Sequence, residues 1–479
     1  MRTLVIAYDD LGRPPIDVQS IVGDKLFGQV LYRGKPLYEL FSDAATSIPL
    51  PIRCQRIKDA SEVQGFLDSI EGVGTDTVFL HVPSRLAVMH ADDFGKALQR
   101  LYYADQTATF KVQDVPLFAT TKAEELAARL LVRSNGGEPA DSGIITDAPA
   151  FGLCDLGSGD RFVRFLANVF DTRYFNSVSL AGATVTKKSN LVEKICAEHD
   201  LYWLLPNELK RYFVMPYNLV VEADSASYQM ERLSAPDLAI QWVNQALAGE
   251  RLEQVLGHIF EFVRSRPIKK VESAQHLAVL QDVYLQKVKD RVARVEESPN
   301  GRLAASLLKN HGTDLCQILQ LYVSLFEKSL KKRKLGELAI GHGDLCFSNI
   351  LYSGGLGTIK LIDPKGARVE ADLWQDPYYD LAKLSHSVLG SYDFINASAF
   401  DLQLSDSLNV KVKTFEPPVH VRQMFIEKLH QAGFDCELTR LYEASLFLSM
   451  LPLHDESPKK MVAFALRGQQ ILQELCRNG

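Results

Sequence analysis

Three polar side chains in the second half of the sequence have the types and the spacing that phosphoryl chemistry requires. Asn349 follows Asp344 by five positions, and Asp363 follows Asn349 by fourteen. Transfer of a phosphoryl group from a nucleotide needs an acceptor for the attacking hydroxyl's proton and oxygen ligands for magnesium. We therefore predict that Asp344 is the catalytic carboxylate and that Asn349 and Asp363 are magnesium ligands.

Two short strands must position these side chains. Period-two alternation places Asn349 and Leu351 on one face of the first strand. It places Leu361 and Asp363 on one face of the second strand. The glycine-rich turn over residues 353–357 favours an antiparallel hairpin, which would bring both predicted magnesium ligands to one end.

This block resembles the aminoglycoside phosphotransferase and choline kinase superfamily, which has a protein-kinase-like fold. Members have His-Gly-Asp with Asn five residues after the aspartate, here residues 342–349, and a metal-binding aspartate in an Ile-Asp-Pro context, here residues 362–364. The resemblance implies that Asp344 orients or deprotonates an acceptor hydroxyl and that His342 supports the loop by hydrogen bonding. It also implies a second aspartate that supports the catalytic loop. Asp380 fits that role, and Asp376 is a candidate for the same role or for lining the acceptor pocket.

A small lobe is predicted upstream of this block. Residues 175–189 predict two strands, on which the adjacent Lys187 and Lys188 point to opposite faces. Lys187 is favoured as the phosphate-binding lysine because it shares its face with a valine, and Lys188 is the alternative. The helix predicted over residues 190–202 carries Glu198 on an apolar stripe, where a carboxylate needs a cationic partner. We expect a Lys187–Glu198 pair beside the nucleotide phosphates, unless Glu198 lies at the edge of the stripe and reaches water.

The predicted hinge between two lobes follows next. Residues 212–222 and 226–233 predict two further strands, and the resemblance implies that backbone groups from Met230 to Leu233 hold adenine. No GxGxxG loop is present, and residues 173–179 occupy the expected position of the phosphate loop. ATP and Mg²⁺ are the expected cofactors, although the sequence does not separate ATP from GTP.

The N-terminal segment alternates predicted strands and helices, which favours an α/β layer domain. Residues 22–37 and 76–85 vaguely resemble a sugar-phosphate nucleotidyltransferase. The glycine-rich phosphate loop of that family is missing after the first strand, where residues 9–15 stand instead. Its metal-binding aspartate is replaced by residues 83–85, Pro-Ser-Arg. We therefore interpret this domain as a degenerate, non-catalytic relative or as a module that gathers substrate.

Together these patterns predict the fold class and the domains. The fold class is an α/β N-terminal domain plus an α+β bilobal protein-kinase-like domain with a mostly helical large lobe. The predicted boundaries are 1–155 for the α/β domain, 156–235 for the small lobe and 236–479 for the large lobe.

Composition excludes several other classes of protein. A chain of 479 residues is too long for one core, and its formal net charge of −6 gives no electrostatic case for binding nucleic acid or an anionic membrane. The basic run at residues 328–334 is interpreted as a solvated helix end.

The first residues predict a strand rather than a secretion signal, and no apolar stretch is long enough to span a membrane. Seven scattered cysteines without CxxC spacing fit a reducing cytoplasm.

The resemblance implies a small-molecule kinase that transfers the γ-phosphoryl group of ATP to a hydroxyl of a sugar, amino sugar or amino alcohol. By analogy with kinases fused to nucleotidyltransferase domains, we expect the acceptor to be a sugar or amino alcohol used in cell-surface polysaccharide synthesis. A protein Ser/Thr kinase is disfavoured by the His-Gly-Asp and Ile-Asp-Pro motifs. A bifunctional kinase and nucleotidyltransferase is disfavoured by the missing glycine-rich loop. A non-catalytic nucleotide sensor is disfavoured because the chain has Asp344, Asn349 and Asp363. The oligomeric state is open, a homo-oligomer included.

Overall fold

The structure, a computed structural model, divides the chain into two compact units, Met1–Phe170 and Asp171–Gly479. The residues that it describes are 2–32, 34–71, 76–147, 151–167, 176–181, 183–233, 235–354, 357–404, 408–412 and 418–478. Within these ranges, every helix is too short or too polar to cross a membrane.

The first unit alternates strands and helices. Its strands are β1 (Thr3–Asp9), β2 (Leu31–Tyr32), β3 (Lys35–Pro36), β4 (Ile52–Ile57), β5 (Thr77–Pro83), β6 (Leu86–Val88), β7 (Ala108–Val112), β8 (Val115–Thr120), β9 (Ile144–Asp147) and β10 (Leu153–Asp155). Its helices are α1 (Ile16–Val22), α2 (Leu37–Thr46), α3 (Ala60–Ile70), α4 (Ala91–Tyr102), α5 (Ala123–Ser134) and α6 (Gly159–Ala167).

Six of these strands form one mixed sheet in the order β4-β1-β5-β8-β7-β9. Strand β1 is parallel to both β4 and β5, whereas β8 is antiparallel to its neighbours. Phe41 of α2 and Phe94 of α4 are buried against one face of the sheet, and Phe66 of α3 and Leu130 of α5 against the other. The first unit is therefore an α/β layer, as its alternating pattern predicts.

Helix α6 belongs to the first unit, which extends beyond the predicted boundary at residue 155. The ring of Phe165 stacks on Tyr32 with 4.3 Å between centroids, and Phe162 lies 6.4 Å from Phe27. These buried aromatic contacts fix α6 to the unit, because burying such large apolar rings is strongly favourable. The sequence pattern did not predict this packing of α6, because the contacts join residues that lie more than 100 positions apart.

The second unit begins with a small antiparallel sheet and continues mostly as helices. Its strands are β11 (Asn176–Ala181), β12 (Thr184–Ser189), β13 (Pro216–Val221), β14 (Ala226–Glu231), β15 (Ile268–Lys270), β16 (Glu337–Ile340), β17 (Ile350–Leu351), β18 (Lys360–Leu361), β19 (Trp374–Gln375), β20 (Phe400–Leu404) and β21 (Leu408–Val412). Its helices are α7 (Val192–Leu204), α8 (Asn207–Lys210), α9 (Leu238–Val243), α10 (Gly249–Ser265), α11 (Ser273–Leu280), α12 (Lys287–Ala293), α13 (Pro299–Asn310), α14 (Leu315–Leu330), α15 (Tyr379–Val388), α16 (Tyr392–Asn396), α17 (Val419–Gln431), α18 (Cys436–Met450) and α19 (Pro458–Asn478).

Strands β11, β12, β14 and β13 form the sheet in that order, and α7 packs against it through Ile195. The main helical core lies around α18. Asp435 caps the start of this helix, where its side chain accepts a hydrogen bond from the Leu438 backbone N–H. Tyr442 and Phe447 of α18 are fully buried there. The second unit therefore combines a small sheet with a large helical region, while the predicted lobe boundary at 235/236 stays a prediction.

The predicted hairpin around the glycine-rich turn forms, but its strands are only two residues long. Ile350 of β17 lies opposite Leu361 of β18. Asn349 ends a 3₁₀ turn that begins at Phe347, so the predicted alternation of Asn349 with Leu351 along one strand is wrong. The turn forms because the Asn349 backbone N–H donates to the Cys346 carbonyl instead of joining the ladder.

Candidate active site

A buried lysine links two carboxylates from distant parts of the second unit. Lys187 of β12 is 2% exposed, and its Nζ lies 2.6 Å from Glu198 Oε2 of α7 and 3.0 Å from Asp363 Oδ1. The Tyr228 hydroxyl donates a second hydrogen bond to Glu198 Oε2 at 3.2 Å. Glu198 is 3% exposed, so it does not lie at a solvated edge of its helix. The structure thus brings Lys187, Glu198 and Asp363 to one point.

The neighbouring lysine lies on the opposite face of the strand. Lys188 pairs with Glu222 at 2.7 Å, and both side chains are about half exposed. Alternation along β12 sends adjacent side chains to opposite faces, so only Lys187 reaches the buried carboxylates.

The combined effect of burial and of the neighbouring charges raises the pKa values of both Lys187 and Glu198. Burial alone would lower the pKa of Lys187, but Asp363 and Glu198 outweigh it and hold that pKa above its usual value. Burial raises the pKa of Glu198, an effect that Lys187 opposes and the Asp363 carboxylate reinforces. Lys187 is therefore shared by Glu198 and Asp363, and Lys194 Nζ lies 3.6 Å from the other carboxylate oxygen of Glu198.

The loop that contains Asp344 is held by a fully buried carboxylate. Asp380 of α15 accepts hydrogen bonds from the backbone N–H groups of His342 at 2.9 Å and Gly343 at 2.8 Å. Arg266 pairs with the same carboxylate at 3.3 Å. Because every one of these groups is buried, Asp380 fixes the loop's backbone just before the predicted catalytic residue.

His342 is a support for this loop and not an exposed base. Its Nε2 lies 2.9 Å from the Ile362 carbonyl, and its Nδ1 accepts from the Asp344 backbone N–H at 3.2 Å. Its ring also stacks on Phe213. Burial lowers the pKa of His342, so the imidazole is neutral and joins residues 342–344 to the strand end before Asp363.

Gly343 has a conformation that the other amino acids rarely adopt. Its φ is +77°, and an added Cβ would lie 2.5 Å from the Lys365 Cβ. Only glycine fits that close approach in the left-handed region. The middle residue of His-Gly-Asp therefore lets the Ile-Asp-Pro segment pack directly against the loop.

A lysine that the sequence analysis did not select contacts the predicted catalytic carboxylate. Lys383 Nζ of α15 lies 2.8 Å from Asp344 Oδ1, and the Asp344 side chain is 40% exposed while that of Lys383 is 15% exposed. Burial would lower the pKa of Lys383, but Asp344 outweighs it and raises that pKa. The sequence feature that could have indicated this contact is the spacing within α15, which places Lys383 one helical turn after Asp380.

The predicted magnesium ligands have the donor atoms that this metal prefers. The Asn349 Nδ2 donates to the Asp344 carbonyl at 2.9 Å, which leaves the amide oxygen without a hydrogen bond among the described residues. Asp363, with a φ of +55°, has a side chain that is 42% exposed. Groups of three or more His, Cys, Asp or Glu that could hold a metal are absent from the described part of the chain. One carboxylate and one amide still fit Mg²⁺, which usually takes one or two protein carboxylates and completes its shell with water and substrate phosphates.

The two predicted adenine-holding positions line different cavities. Met230 borders a narrow cavity of about 20 Å³ together with Glu198 and Asp363, whereas Leu233 borders a second one. The Arg232 backbone N–H already donates to the Ala183 carbonyl, so it is not free for a ligand. Of the predicted phosphate-loop segment, residues 173–175 lie outside the described residues.

Asp376 does not reach this site. His276 Nε2 at 2.8 Å, the Tyr284 hydroxyl at 3.0 Å and Arg333 Nη2 at 2.6 Å surround its buried carboxylate. Burial raises the pKa of Asp376, but His276 and Arg333 outweigh it and lower that pKa. Asp376 is therefore a structural anion, and the side chain of Arg333, at 7% exposure, departs from the solvated helix end predicted for residues 328–334.

Comparisons with known proteins give matches only among solved structures. Every family model failed to match the chain, and so did every curated protein. The apo form of a thermostable mutant of aminoglycoside phosphotransferase APH(4)-Ia is 13% identical over 63% of this chain and 89% of its own, with a TM-score of 0.34. A ternary complex of such a mutant with AMP-PNP and hygromycin B is 13% identical over 66% and 98%, with a TM-score of 0.37. A fructosamine-3-kinase candidate from Haemophilus somnus is 12% identical over 66% and 96%, also with a TM-score of 0.37.

These matched proteins are of the superfamily that the motifs resemble. The resemblance of the first unit to nucleotidyltransferases has no counterpart among the structures named here. Since the TM-scores lie below 0.5, the function proposed next depends on the geometry of the chain itself.

Proposed function

We propose that the second unit is a small-molecule kinase that transfers the γ-phosphoryl group of ATP to a hydroxyl group. The observation that carries this proposal is the placement of Lys187 between Glu198 and Asp363. Phosphoryl transfer on kinase-like sites uses a lysine that is fixed by a glutamate and lies beside a metal-binding aspartate. Here those three residues come from β12, α7 and the segment after β18, and they meet at one point, where Lys187 and Glu198 are buried and Asp363 is partly exposed.

Each residue has a role that follows from its contacts. Lys187, fixed by Glu198, would bind the phosphates of the nucleotide. Asp344 would orient the acceptor hydroxyl and accept its proton, and the adjacent Lys383 would keep that carboxylate ionised. His342 and Asp380 hold the loop so that Asp344 keeps its orientation.

Asn349 and Asp363 would hold Mg²⁺. When bound, the ion would supply positive charge against the phosphate oxygens. The fit is supported by the Asn349 amide oxygen, which accepts no hydrogen bond among the described residues, and by the Asp363 carboxylate, which is 42% exposed.

The acceptor that we propose is a sugar, amino sugar or amino alcohol. We propose that the phosphorylated product serves cell-surface polysaccharide synthesis. This part of the proposal comes from the motif resemblance. It agrees with Asp344 being partly exposed, because a small alcohol can approach a carboxylate that solvent reaches.

The test is ATP consumption by the full chain against a panel of sugars, amino sugars and amino alcohols, with Asp344→Asn as the paired variant. We expect an acceptor-dependent rate that the variant loses, while nucleotide binding, measured by fluorescence of a labelled ATP analogue, is retained. Nucleotide binding without any acceptor-dependent rate would favour a nucleotide sensor. Release of pyrophosphate from CTP or GTP with a sugar phosphate would favour the bifunctional alternative, and radiolabel transfer to mixed proteins would favour a protein kinase.

A further inference from the structure

A second cavity in the same unit shares only Leu233 with the residues to which the proposed phosphoryl transfer gives a role. It is open to solvent, has a volume of about 280 Å³ and lies between the segment joining α8 to β13, the end of β14 and the start of β18. This volume is close to the lower end of the range of small-molecule sites, which runs from about 300 to 1,000 Å³. Lys187, Asp344, Asn349 and Asp363 are all absent from its lining.

One wall of this cavity is apolar. Tyr202, Phe213 and Leu233 contribute to it, and Phe213 is buried. Such a wall suits the flat face of a ring, since aromatic and aliphatic side chains bind apolar ligand surface by excluding water.

The other walls carry two lysines whose charges are not balanced by acids. Lys210 Nζ lies 5.7 Å from the ring centroid of Tyr202, and Lys360 Nζ donates to the Arg211 carbonyl at 2.7 Å. Among the described residues, neither ammonium group lies within ion-pair distance of a carboxylate. Arg211 differs, because its guanidinium pairs with Glu261 at 2.9 Å. Two lysines that line one cavity without an acidic partner among the described residues favour a ligand with a negative group.

One carboxylate also lines the cavity. Glu231 is exposed at the end of β14 and forms no ion pair with a described residue. It would repel a second negative group on the ligand and would accept a hydrogen bond from a ligand N–H or O–H. The charges therefore favour a ligand with a single acidic head over a polyphosphate.

We propose that this cavity binds a small organic anion in which one carboxylate or phosphate group is attached to an apolar ring. The acidic group lies between Lys210 and Lys360, and the ring lies against Phe213 and Leu233. The cavity wall is continuous with the active site, because the Val214 backbone N–H donates to the Leu361 carbonyl at 3.1 Å, two residues before Asp363. A ligand here thus touches the segment that holds Asp363 without occupying the phosphate position.

The experiment uses 4-(trifluoromethyl)benzoate as the probe and follows its ¹⁹F line width against the full chain at low salt, without nucleotide. The variants are the double replacement Lys210→Gln with Lys360→Gln, and Lys309→Gln, an exposed lysine on α13, as the matched control. The neutral amide of the same probe tests the requirement for charge. No nucleotide is present, so the result does not depend on the proposed kinase activity.

We expect saturable binding of the benzoate that weakens about fivefold or more in the double variant, since each exposed charge pair contributes modestly. Lys309→Gln should bind as the natural chain does, and added salt should weaken binding by screening. Equal affinity in the double variant, equal binding of the amide, or no saturable binding up to millimolar probe would each overturn the proposal.

Discussion

Lys383 Nζ lies 2.8 Å from Asp344 Oδ1, although 39 positions separate the two residues in the sequence. The lysine comes from α15, the helix that also supplies Asp380 to the loop that contains Asp344. One helix therefore supports the backbone of the loop with a carboxylate and its functional side chain with an ammonium group. This arrangement makes α15 part of the proposed active site.

Replacing Lys383 should reduce turnover more than substrate binding. For Lys383→Met we expect kcat to fall roughly 10²-fold, because a positioned acid–base group contributes about that much. The acidic limb of the kcat profile should move to higher pH, since Asp344 loses the cation that favours its charged form. Lys383→Arg should restore part of the rate. Steady-state kinetics from pH 5 to 9 measure both effects, and an unchanged profile in Lys383→Met would refute the role.

The two adjacent lysines of β12 offer a matched pair of variants. Lys187→Met should weaken nucleotide binding and lower kcat by roughly 10² or more, because the phosphates lose their cation and Glu198 and Asp363 are left facing each other. Lys188→Met should leave both values within a factor of two, since Lys188 pairs only with the exposed Glu222. Titration with a fluorescent ATP analogue and initial-rate kinetics give the comparison. Equal losses in the two variants would contradict the assignment of Lys187.

Removal of the Asp380 charge should destabilise the second unit. Asp380→Asn leaves the buried Arg266 guanidinium without its anionic partner, and breaking such a pair costs about 3–5 kcal/mol. Urea unfolding followed by tryptophan fluorescence measures the free energy of unfolding. Glu327→Gln, which removes an exposed carboxylate on α14, is the control and should change that free energy by less than about 0.5 kcal/mol. A loss of similar size in both variants would mean that Asp380 does not hold the loop.

Asp393 should make stability fall as pH rises. Burial raises the pKa of its carboxyl from 3.8 to about 7 in the folded chain. Between these two values the folded state holds a proton that the unfolded state releases, so this group's stabilising contribution is complete below about pH 4 and is lost as pH rises through 7. In Asp393→Asn the free energy of unfolding should match the natural chain near pH 3.5 and exceed it near pH 8.

The measurement for Asp393 is the difference between the two chains in urea unfolding at several pH values. Using the difference removes the opposite contribution of His386, whose pKa burial lowers well below its usual value. The difference should grow by up to about 1.4 kcal/mol per pH unit inside the window. A constant difference would show that the Asp393 pKa is not raised.

Much of the proposed site could be predicted because its residues lie in compact motifs. The residues from His342 to Asp363 are joined by one loop and one hairpin, so their short spacing in the chain was enough to group them. Alternation along a strand showed that only one of Lys187 and Lys188 could face the cleft, and it favoured Lys187 without excluding Lys188. The placement of Asn349 at the end of a strand failed, since a local 3₁₀ hydrogen bond replaced the ladder there.

The sequence by itself determined the residue types of the proposed site, the α/β character of the first unit and the small sheet with its large helical region. Those features depend on periodicity and on local turn chemistry, which act over a few residues. Only the tertiary structure decided that Lys383 reaches Asp344, that Arg333 is buried against Asp376, and that α6 belongs to the first unit. Such pairings join residues far apart in the chain, and they form because a buried charge or ring must find its partner wherever the packed fold brings one within reach.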